Sequence, residues 1–256
     1  MTFEDHFSLE PAGKSLGELQ TPVPLIDIAI VERNIRKWQQ RCNKLGLANR
    51  PHIKTHKLAA LAQLQLDEGA KGITVQKLSE AEVMAKAGMS DMLLTFNAVG
   101  RPKLERLAAL ARTTAISVVA DSEAVVHGVA EAGKSAGRDI AVLIECDTGG
   151  KRNGVQSPEA ALELAKMIDA TQGVRLGGLM TYPKAGLRKE MDAFLAAAIT
   201  LFNKAGLSAE TVSVGGSPDM WSDDGLASAT EYRAGTYIYF DRSMVSRGTC
   251  SWDDCA

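Results

Sequence analysis

Short apolar runs rich in β-branched residues alternate with longer amphipathic segments along most of this chain. Such alternation is typical of strands that are each followed by a helix. Eight consecutive units predict an α/β fold, the TIM barrel, while an open doubly wound sheet is the alternative because periodicity does not reveal closure. The eight predicted strands are "LIDIAI" (25–30), "PHIKTH" (51–56), "GITVQKL" (72–78), "DMLLTFN" (91–97), "AISVVAD" (115–121), "DIAVLIECD" (139–147), "LGGLMTYP" (176–183) and "TVSVGG" (211–216).

The predicted helices carry end signals that support this division. Ser79 and Ser157 are predicted N-caps, and Pro158 would take the first helical position after Ser157. Glycine ends four helices, where a left-handed C-cap is expected. These glycines are Gly46, Gly88, Gly137 and Gly206.

Composition narrows the function classes. The formal net charge is -2, and no basic cluster appears, so neither nucleic acid nor an anionic membrane surface is an expected partner. The four cysteines lack the paired spacing of a disulfide framework or a zinc site, and no signal peptide or membrane-spanning run is seen. We therefore expect a cytoplasmic protein.

The segment "RPHIKTHK" (50–57) concentrates titratable groups at a predicted strand end. Strand side chains repeat every two residues, so His52, Lys54 and His56 would all point the same way. A lysine pointing into a barrel must be partnered or lose its charge, and the neutral amine is a nucleophile that forms Schiff bases. The alternative is that Lys54 lies on a solvated rim and that the histidines are polar fillers.

Polar groups also follow other strands. Arg152 lies in the glycine-rich loop after the sixth strand, where it could direct fixed donors at an acceptor, or it could belong to a surface turn. Gly215, Gly216 and Ser217 follow the eighth strand in "SVGGSPD" (213–219), a composition from which backbone amides can cradle an anion. Phosphate sites recur at this place in TIM barrels.

Together, six segments resemble fold-type III pyridoxal-phosphate (PLP) enzymes of the D-threonine aldolase and D-serine dehydratase family. They are "TPVPLIDIAIVERNI", "RPHIKTHK", "DTGGKRNGV", "LMTYP", "GGSPDM" and "EYRAGTYIYFD". The resemblance extends from about Thr21 to the C-terminus. It implies an alanine racemase-like barrel with PLP bound at its C-terminal mouth.

The resemblance also implies roles for individual residues. Lys54 is similar to the lysine that forms the Schiff base with PLP, flanked by His52 and His56, and His56 is a candidate base. Arg152 is similar to the arginine facing the pyridine nitrogen, where a fixed positive charge makes the ring a weaker electron sink. Tyr182 and Gln76 match positions near the cofactor ring. The implied phosphate site comprises Gly215, Gly216, Ser217, Gly235, Thr236 and Tyr237.

The family resemblance sets the expected domains. Residues 1–20 are predicted to be an N-terminal extension, 21–235 the PLP-binding barrel, and 236–256 the start of a truncated C-terminal β-domain, with "EYRAGTYIYFD" (231–241) leaving the barrel as a strand. In the family a divalent metal is held by that β-domain, and its ligands are not in this sequence. Cys250 and Cys255 have no neighbouring histidine and are no substitute.

The expected function is a PLP-dependent lyase acting on small D-3-hydroxy amino acids. Retro-aldol cleavage of D-threonine to glycine and an aldehyde is the leading prediction. Dehydration of D-serine and racemisation are alternatives on the same scaffold, and a non-catalytic PLP-binding protein is an alternative of another class. The resemblance implies a homodimer.

Overall fold

A computed structural model describes residues 13–256 of the chain, so the first twelve residues of the predicted N-terminal extension lie outside the described part. A 3-10 turn at Leu16–Glu18 precedes the barrel. The α-helices are α1 (Ile28–Leu45), α2 (Ala59–Asp67), α3 (Leu78–Lys86), α4 (Arg101–Ala111), α5 (Glu123–Ala136), α6 (Pro158–Asp169), α7 (Arg188–Lys204) and α8 (Arg242–Ser246).

Eight parallel strands form one sheet in the order β1-β8-β7-β6-β5-β4-β3-β2. Backbone hydrogen bonds also join the two ends of this order: the amide of Lys71 donates to Asn49 over 2.9 Å, and that of Thr74 donates to Pro51 over 2.8 Å. The sheet therefore closes, as the TIM-barrel prediction requires. The strands are β1 (Ala48–Asn49), β2 (Ile73–Val75), β3 (Asp91–Leu94), β4 (Ala115–Ala120), β5 (Ile140–Cys146), β6 (Val174–Thr181), β7 (Thr211–Val214) and β8 (Glu231–Tyr232).

Within residues 13–256 the count of eight strands is confirmed, but two assignments behind it are wrong. The first predicted strand, 25–30, is not a strand, because the Asp27 carboxylate accepts hydrogen bonds from the amides of Ala29 and Ile30 and caps α1. The segment predicted to leave the barrel supplies β8, which pairs with both β7 and β1. Each later predicted strand therefore takes a position in the barrel one earlier than predicted, so that the third predicted strand, for example, is β2.

Two local predictions around the helices are also wrong. Residues Ile53–Thr55 form a 3-10 turn, not the end of a strand, so the alternation that placed His52, Lys54 and His56 on one side does not apply. Lys77, not Ser79, occupies the N-cap position of α3. By contrast, Ser157 caps α6 as predicted, with Pro158 beginning the helix.

The strands separate two apolar regions. Leu93, Val119, Leu143 and Met180 come from β3 to β6 and form a small buried cluster of their own. Alternate residues of the same strands belong to the larger cluster shared with the surrounding helices. Because side chains alternate across a strand, the small cluster fills the barrel interior and the large one lies between sheet and helices.

Residues 236–256 form short helical turns that pack against α1. Asn34 donates a hydrogen bond to the carbonyl of Asp254 over 2.8 Å, and the Lys37 ammonium lies 3.6 Å from the Asp254 carboxylate. Within the described chain this segment contains no strand. Its assignment to a β-domain therefore stays a prediction. None of the described helices is long and apolar enough to cross a membrane.

Candidate active site

A cavity of about 550 Å³ opens at the C-terminal ends of the strands. This is the barrel face on which loop residues are brought together, whichever strand they follow. Nine of the twelve predicted site residues line it: His52, Lys54, Gln76, Arg152, Tyr182, Gly216, Ser217, Gly235 and Thr236. The structure does not bring His56, Gly215 and Tyr237 to this cavity.

Lys54 occupies the 3-10 turn after β1 and lines the cavity while remaining exposed to solvent. The amine is therefore less enclosed than a lysine within the barrel interior would be. Partial desolvation lowers its pKa, the positive charges of Arg152 and Arg233 lower it further, and Glu80 opposes them. A lowered pKa increases the neutral, nucleophilic fraction of the amine.

His52 is buried beside Lys54 and is held at both ring nitrogens. Its Nδ1 accepts a hydrogen bond from the Lys54 amide over 3.4 Å, and its Nε2 lies 3.2 Å from Oε1 of Gln76. An amide oxygen accepts only, so this network places the imidazole proton on Nε2. Burial, then the charges of Lys54 and Arg233, lower the pKa of His52 to about 3. His52 is therefore a neutral positioning residue.

His56 and Tyr237 belong to a separate network. Nε2 of His56 lies 3.3 Å from Oε1 of Gln65, and the Gln65 amide donates to the Tyr237 hydroxyl over 2.7 Å. Tyr237 is buried and does not line the cavity. The predicted position of His56 beside the amine is therefore wrong, because Ile53–Thr55 form a 3-10 turn and the alternation of strand side chains does not apply.

Ser217 and the Gly235–Thr236 turn form a backbone cradle in the cavity wall. The amides of Gly235 and Thr236 both donate to Oγ of Ser217, over 3.3 and 3.1 Å. A Cβ on Gly235 would lie 2.8 Å from the carbonyl oxygen of His52, so the close approach of the two loops requires glycine. Gly215 is also needed for close packing, because its Cβ would lie 2.8 Å from the Arg233 carbonyl oxygen.

Arg152 lies over the ring of Tyr182, with 5.1 Å between the guanidinium carbon and the ring centroid. The loop carrying Arg152 is shaped by Asp147, whose carboxylate accepts hydrogen bonds from the amides of Gly149, Lys151 and Arg152. Sequence reasoning did not single out Asp147. The short "DTGG" segment is nevertheless a recognisable signal, since Asp side chains often bond to the next few amides.

Arg233 was also missed, and it is the most deeply buried cation of the cavity. Its guanidinium donates to Oγ of Ser213 over 2.5 Å and to the carbonyl of Thr181 over 2.8 Å. Burial lowers its pKa to about 10, although the carboxylates of Glu231 and Glu145 oppose that shift. Two arginines, not one, are thus available to face a cofactor ring.

Glu145 lines the cavity from β5 and is likewise nearly buried. Burial and the neighbouring Asp121 raise its pKa to about 7, while Arg233, Asn153 and Arg152 oppose the shift. The signal in the sequence was a carboxylate inside the otherwise apolar run "AVLIEC" (141–146). Buried carboxylates with raised pKa values concentrate at functional sites.

The donor set fits a phosphate-bearing aldehyde. Lys54 supplies an amine for the aldehyde, while the Ser217 hydroxyl and the amides of Gly235 and Thr236 lie in the same cavity wall for the phosphate. A closed α/β barrel with these groups at its C-terminal mouth defines the fold-type III class of PLP enzymes.

The comparison with known families agrees with this class. The chain belongs to the family of the alanine racemase N-terminal domain, whose model matches residues 26–243. The predicted resemblance and fold are therefore confirmed.

Individual relatives are more specific. The chain is 35% identical to D-threo-3-hydroxyaspartate dehydratase of Delftia sp. (strain HT23) over 93% of its length, and 32% identical to D-threonine aldolase of Arthrobacter sp over 94%. It spans 66% of each of those proteins. The crystal structure of D-threonine aldolase from Filomicrobium marinum superposes with a TM-score of 0.83 at 32% identity, covering 91% of this chain and 66% of that one.

Between residues 13 and 256, no three or more His, Cys, Asp or Glu side chains are grouped so that they could hold a metal ion. The metal implied by the resemblance is therefore not assigned to any of these side chains.

Proposed function

We propose that this protein is a PLP-dependent lyase acting on D-3-hydroxy amino acids, and that cleavage of D-threonine to glycine and an aldehyde is its main reaction. One observation carries the proposal: the Lys54 amine and the Ser217–Gly235–Thr236 cradle line the same cavity of a closed barrel. The relatives named as aldolases and dehydratases support it.

Bound PLP supplies an aldehyde for an amine and a ring that withdraws electrons from the substrate's α-carbon. The protein's own groups prepare the cavity for it. Lys54 offers an amine whose pKa is lowered, His52 holds the backbone of that turn, and Arg233 presents a fixed charge to the cavity. Such preorganised charges act without reorganising during the reaction.

Covalent attachment is tested by absorbance and trapping. The purified protein with PLP should show a visible Schiff-base band that borohydride removes, and peptide mapping should find the modification on Lys54. Lys54→Ala should lose both. Lys57→Ala is the matched control because the Lys57 ammonium pairs with Glu80 instead, 3.2 Å away. Attachment to Lys57, or trapping that survives Lys54→Ala, would refute the assignment.

The reaction type is tested by product analysis with D-threonine, D-serine and D-alanine in the presence of a divalent metal. Release of glycine and an aldehyde from D-threonine is expected. Dehydration is the second candidate, favoured by the 35% identity to a dehydratase. Exclusive release of pyruvate from D-serine would rank dehydration ahead of aldol cleavage. Conversion of D-alanine to its enantiomer would indicate a racemase. PLP binding without any product would indicate a non-catalytic protein.

The proposal extends to the surroundings of the barrel. It includes a divalent metal, a homodimer and a cytoplasmic location.

A further inference from the structure

A second cavity, of about 500 Å³, lies beside the first at the barrel mouth. The two cavities share Arg152, Tyr182, Gly216 and Pro218 among the residues that line them. The hydroxyl of Tyr232 donates to the carbonyl of Gly216 over 2.8 Å and holds this shared wall from behind. A molecule bound in one cavity can therefore contact residues of the other.

The second cavity is strongly basic. Arg152, Lys184, Arg188 and Arg247 line it, and Asp219 is the only acidic residue among the described residues that do so. Asp219 is already engaged: one carboxylate oxygen accepts from the amide of Gly186 over 2.9 Å. The lining thus carries a formal charge of +3 in a protein whose net charge is -2.

Arg188 is the anchor of this cavity. It is only 5% exposed, and one of its terminal nitrogens donates to the carbonyls of Asp219 and Ser222, over 2.5 and 3.1 Å. The other terminal nitrogen, Nη2, is buried without a hydrogen-bond partner among residues 13–256. An unpaired buried guanidinium nitrogen is costly, and an oxyanion is a strong hydrogen-bond partner for a guanidinium.

The start of α7 adds to the same charge. Arg188 is the first residue of this 17-residue helix, and none of the side chains that the structure describes caps its amides. Uncapped amides and the helix dipole both favour an anion at a helix N-terminus. Glu190 lies in the first turn but does not line the cavity.

We propose that the second cavity binds a small oxyanion, a carboxylate or a phosphate, with Arg188 at its base and Arg152, Lys184 and Arg247 around it. Two sources share this chemistry. If the proposed function is right, the anion can be the side-chain carboxylate of an acidic D-3-hydroxy amino acid whose reacting end lies in the first cavity. The other source is free phosphate from solution.

The experiment is a calorimetric titration of the PLP-loaded protein at low ionic strength with inorganic phosphate and, separately, with succinate. Loading with PLP keeps inorganic phosphate out of the Ser217 cradle. We expect saturable binding of at least one of the two anions. Lys184→Gln and Arg247→Gln remove exposed charges and should each weaken it roughly two- to fivefold. Arg188→Lys, which keeps one charge but loses the fork, should weaken it roughly tenfold.

Lys189→Gln is the matched control, because Lys189 is exposed on the same helix and does not line the cavity. Binding that this control weakens as much as Lys184→Gln would overturn the proposal, since it would reflect overall charge. Absence of any saturable binding would overturn it too. Circular dichroism on each variant identifies any that misfolds. If Arg188→Lys misfolds, the binding measured for Lys184→Gln and Arg247→Gln decides the result.

Kinetics separate the two sources. A rise of KM for D-threo-3-hydroxyaspartate in Arg247→Gln, with KM for D-threonine unchanged, identifies the substrate's carboxylate. If adding phosphate to the parental protein changes KM equally for both substrates, the bound anion is free phosphate from solution. The proposed function is judged separately by the PLP absorbance of the same samples, so a protein that binds the anions but no PLP would refute the function and keep the site.

Discussion

The amide of Lys54 donates its hydrogen bond to Nδ1 of His52, across 3.4 Å. The histidine two residues before the amine is thus the N-cap of the turn that carries it. Its other nitrogen is fixed against Gln76, and the lowered pKa keeps it neutral at physiological pH. The histidine orients the lysine without sharing its proton chemistry.

The two histidines of this segment should make the protein acid-sensitive. Burial lowers the pKa of His52 to about 3 and that of His56 to about 4, whereas unfolded imidazoles titrate near pH 6.5. Between these values the unfolded state binds more protons, so stability falls as pH drops below about 6.5. Each imidazole should contribute up to about 1.4 kcal/mol per pH unit. Urea midpoints at pH 7, 5.5 and 4.5 measure the effect.

His52→Gln and His56→Gln should each flatten this pH dependence. His127, exposed on α5, supplies the control His127→Gln, which should leave the dependence as it is. An unchanged slope in both buried variants would show that the acid sensitivity comes from other groups.

Much of the barrel could be predicted because apolar periodicity reports the burial of whole elements. β2 to β5 and β7 fall within predicted strands, β6 (Val174–Thr181) begins before the strand predicted at 176–183, and Gly46 and Gly137 end α1 and α5 in the left-handed conformation. The strand at 25–30 failed because a continuous apolar run is equally compatible with a buried strand and with a helix start, and the Asp27 cap decided between them. β8 was predicted as a strand that leaves the barrel, and its place in the sheet was not predicted because only two of its residues pair with β7.

The site was predictable where a motif fixes the backbone. The Gly–Gly–Ser segment and the loop of Arg152 keep their local geometry whatever the strand numbering, so Gly216, Ser217 and Arg152 line the cavity. His56 did not, because a 3-10 turn rotates successive side chains by about 120° while a strand alternates them. Arg233 and Glu145 are isolated charged residues in their sequence segments and belong to no motif. Their surroundings depend on contacts between strands that are distant in sequence, so the sequence did not reveal them.

Glu145 should destabilise the protein at alkaline pH. Its pKa is raised to about 7 by burial and by Asp121, so the folded state holds its proton to a higher pH than the unfolded state. Stability from this group is complete below about pH 4.5 and is lost as pH rises through 7. Glu145→Gln should therefore raise the free energy of unfolding at pH 8 by about 2 kcal/mol and change it little at pH 4.5.

Denaturant titrations at both pH values check this prediction. Glu123→Gln, at the exposed start of α5, is the matched control and should have little effect at either pH. If Glu145→Gln instead destabilises the protein at pH 8, the charged carboxylate is stabilised by Arg233 in the folded state. The prediction of a raised pKa would then be wrong.

Gly235→Ala should damage the cradle directly. The new Cβ would lie 2.8 Å from the His52 carbonyl oxygen and 3.2 Å from the His52 Cβ, so two loops must separate. Overpacking of this kind costs about 1–3 kcal/mol of stability. It should also weaken PLP binding at least tenfold, measured by absorbance titration, because the Gly235 and Thr236 amides move. Gly17→Ala meets no atom of residues 13–256 within 4 Å and is the control.

Tyr237 decides how far the phosphate site extends. The family resemblance placed it there, but its hydroxyl accepts a hydrogen bond from Gln65 over 2.7 Å and does not line the cavity. Tyr237→Phe leaves the buried Gln65 amide without this partner, which should cost about 1–3 kcal/mol in the free energy of unfolding. PLP affinity should stay within about twofold of the parental value, since no cradle amide depends on the hydroxyl.

Ser217→Ala is the matched comparison. It removes the Oγ that accepts a hydrogen bond from the Thr236 amide, and it should weaken PLP binding. A tenfold loss of affinity in Tyr237→Phe, without comparable loss in Ser217→Ala, would place the phosphate on the tyrosine side of the loop.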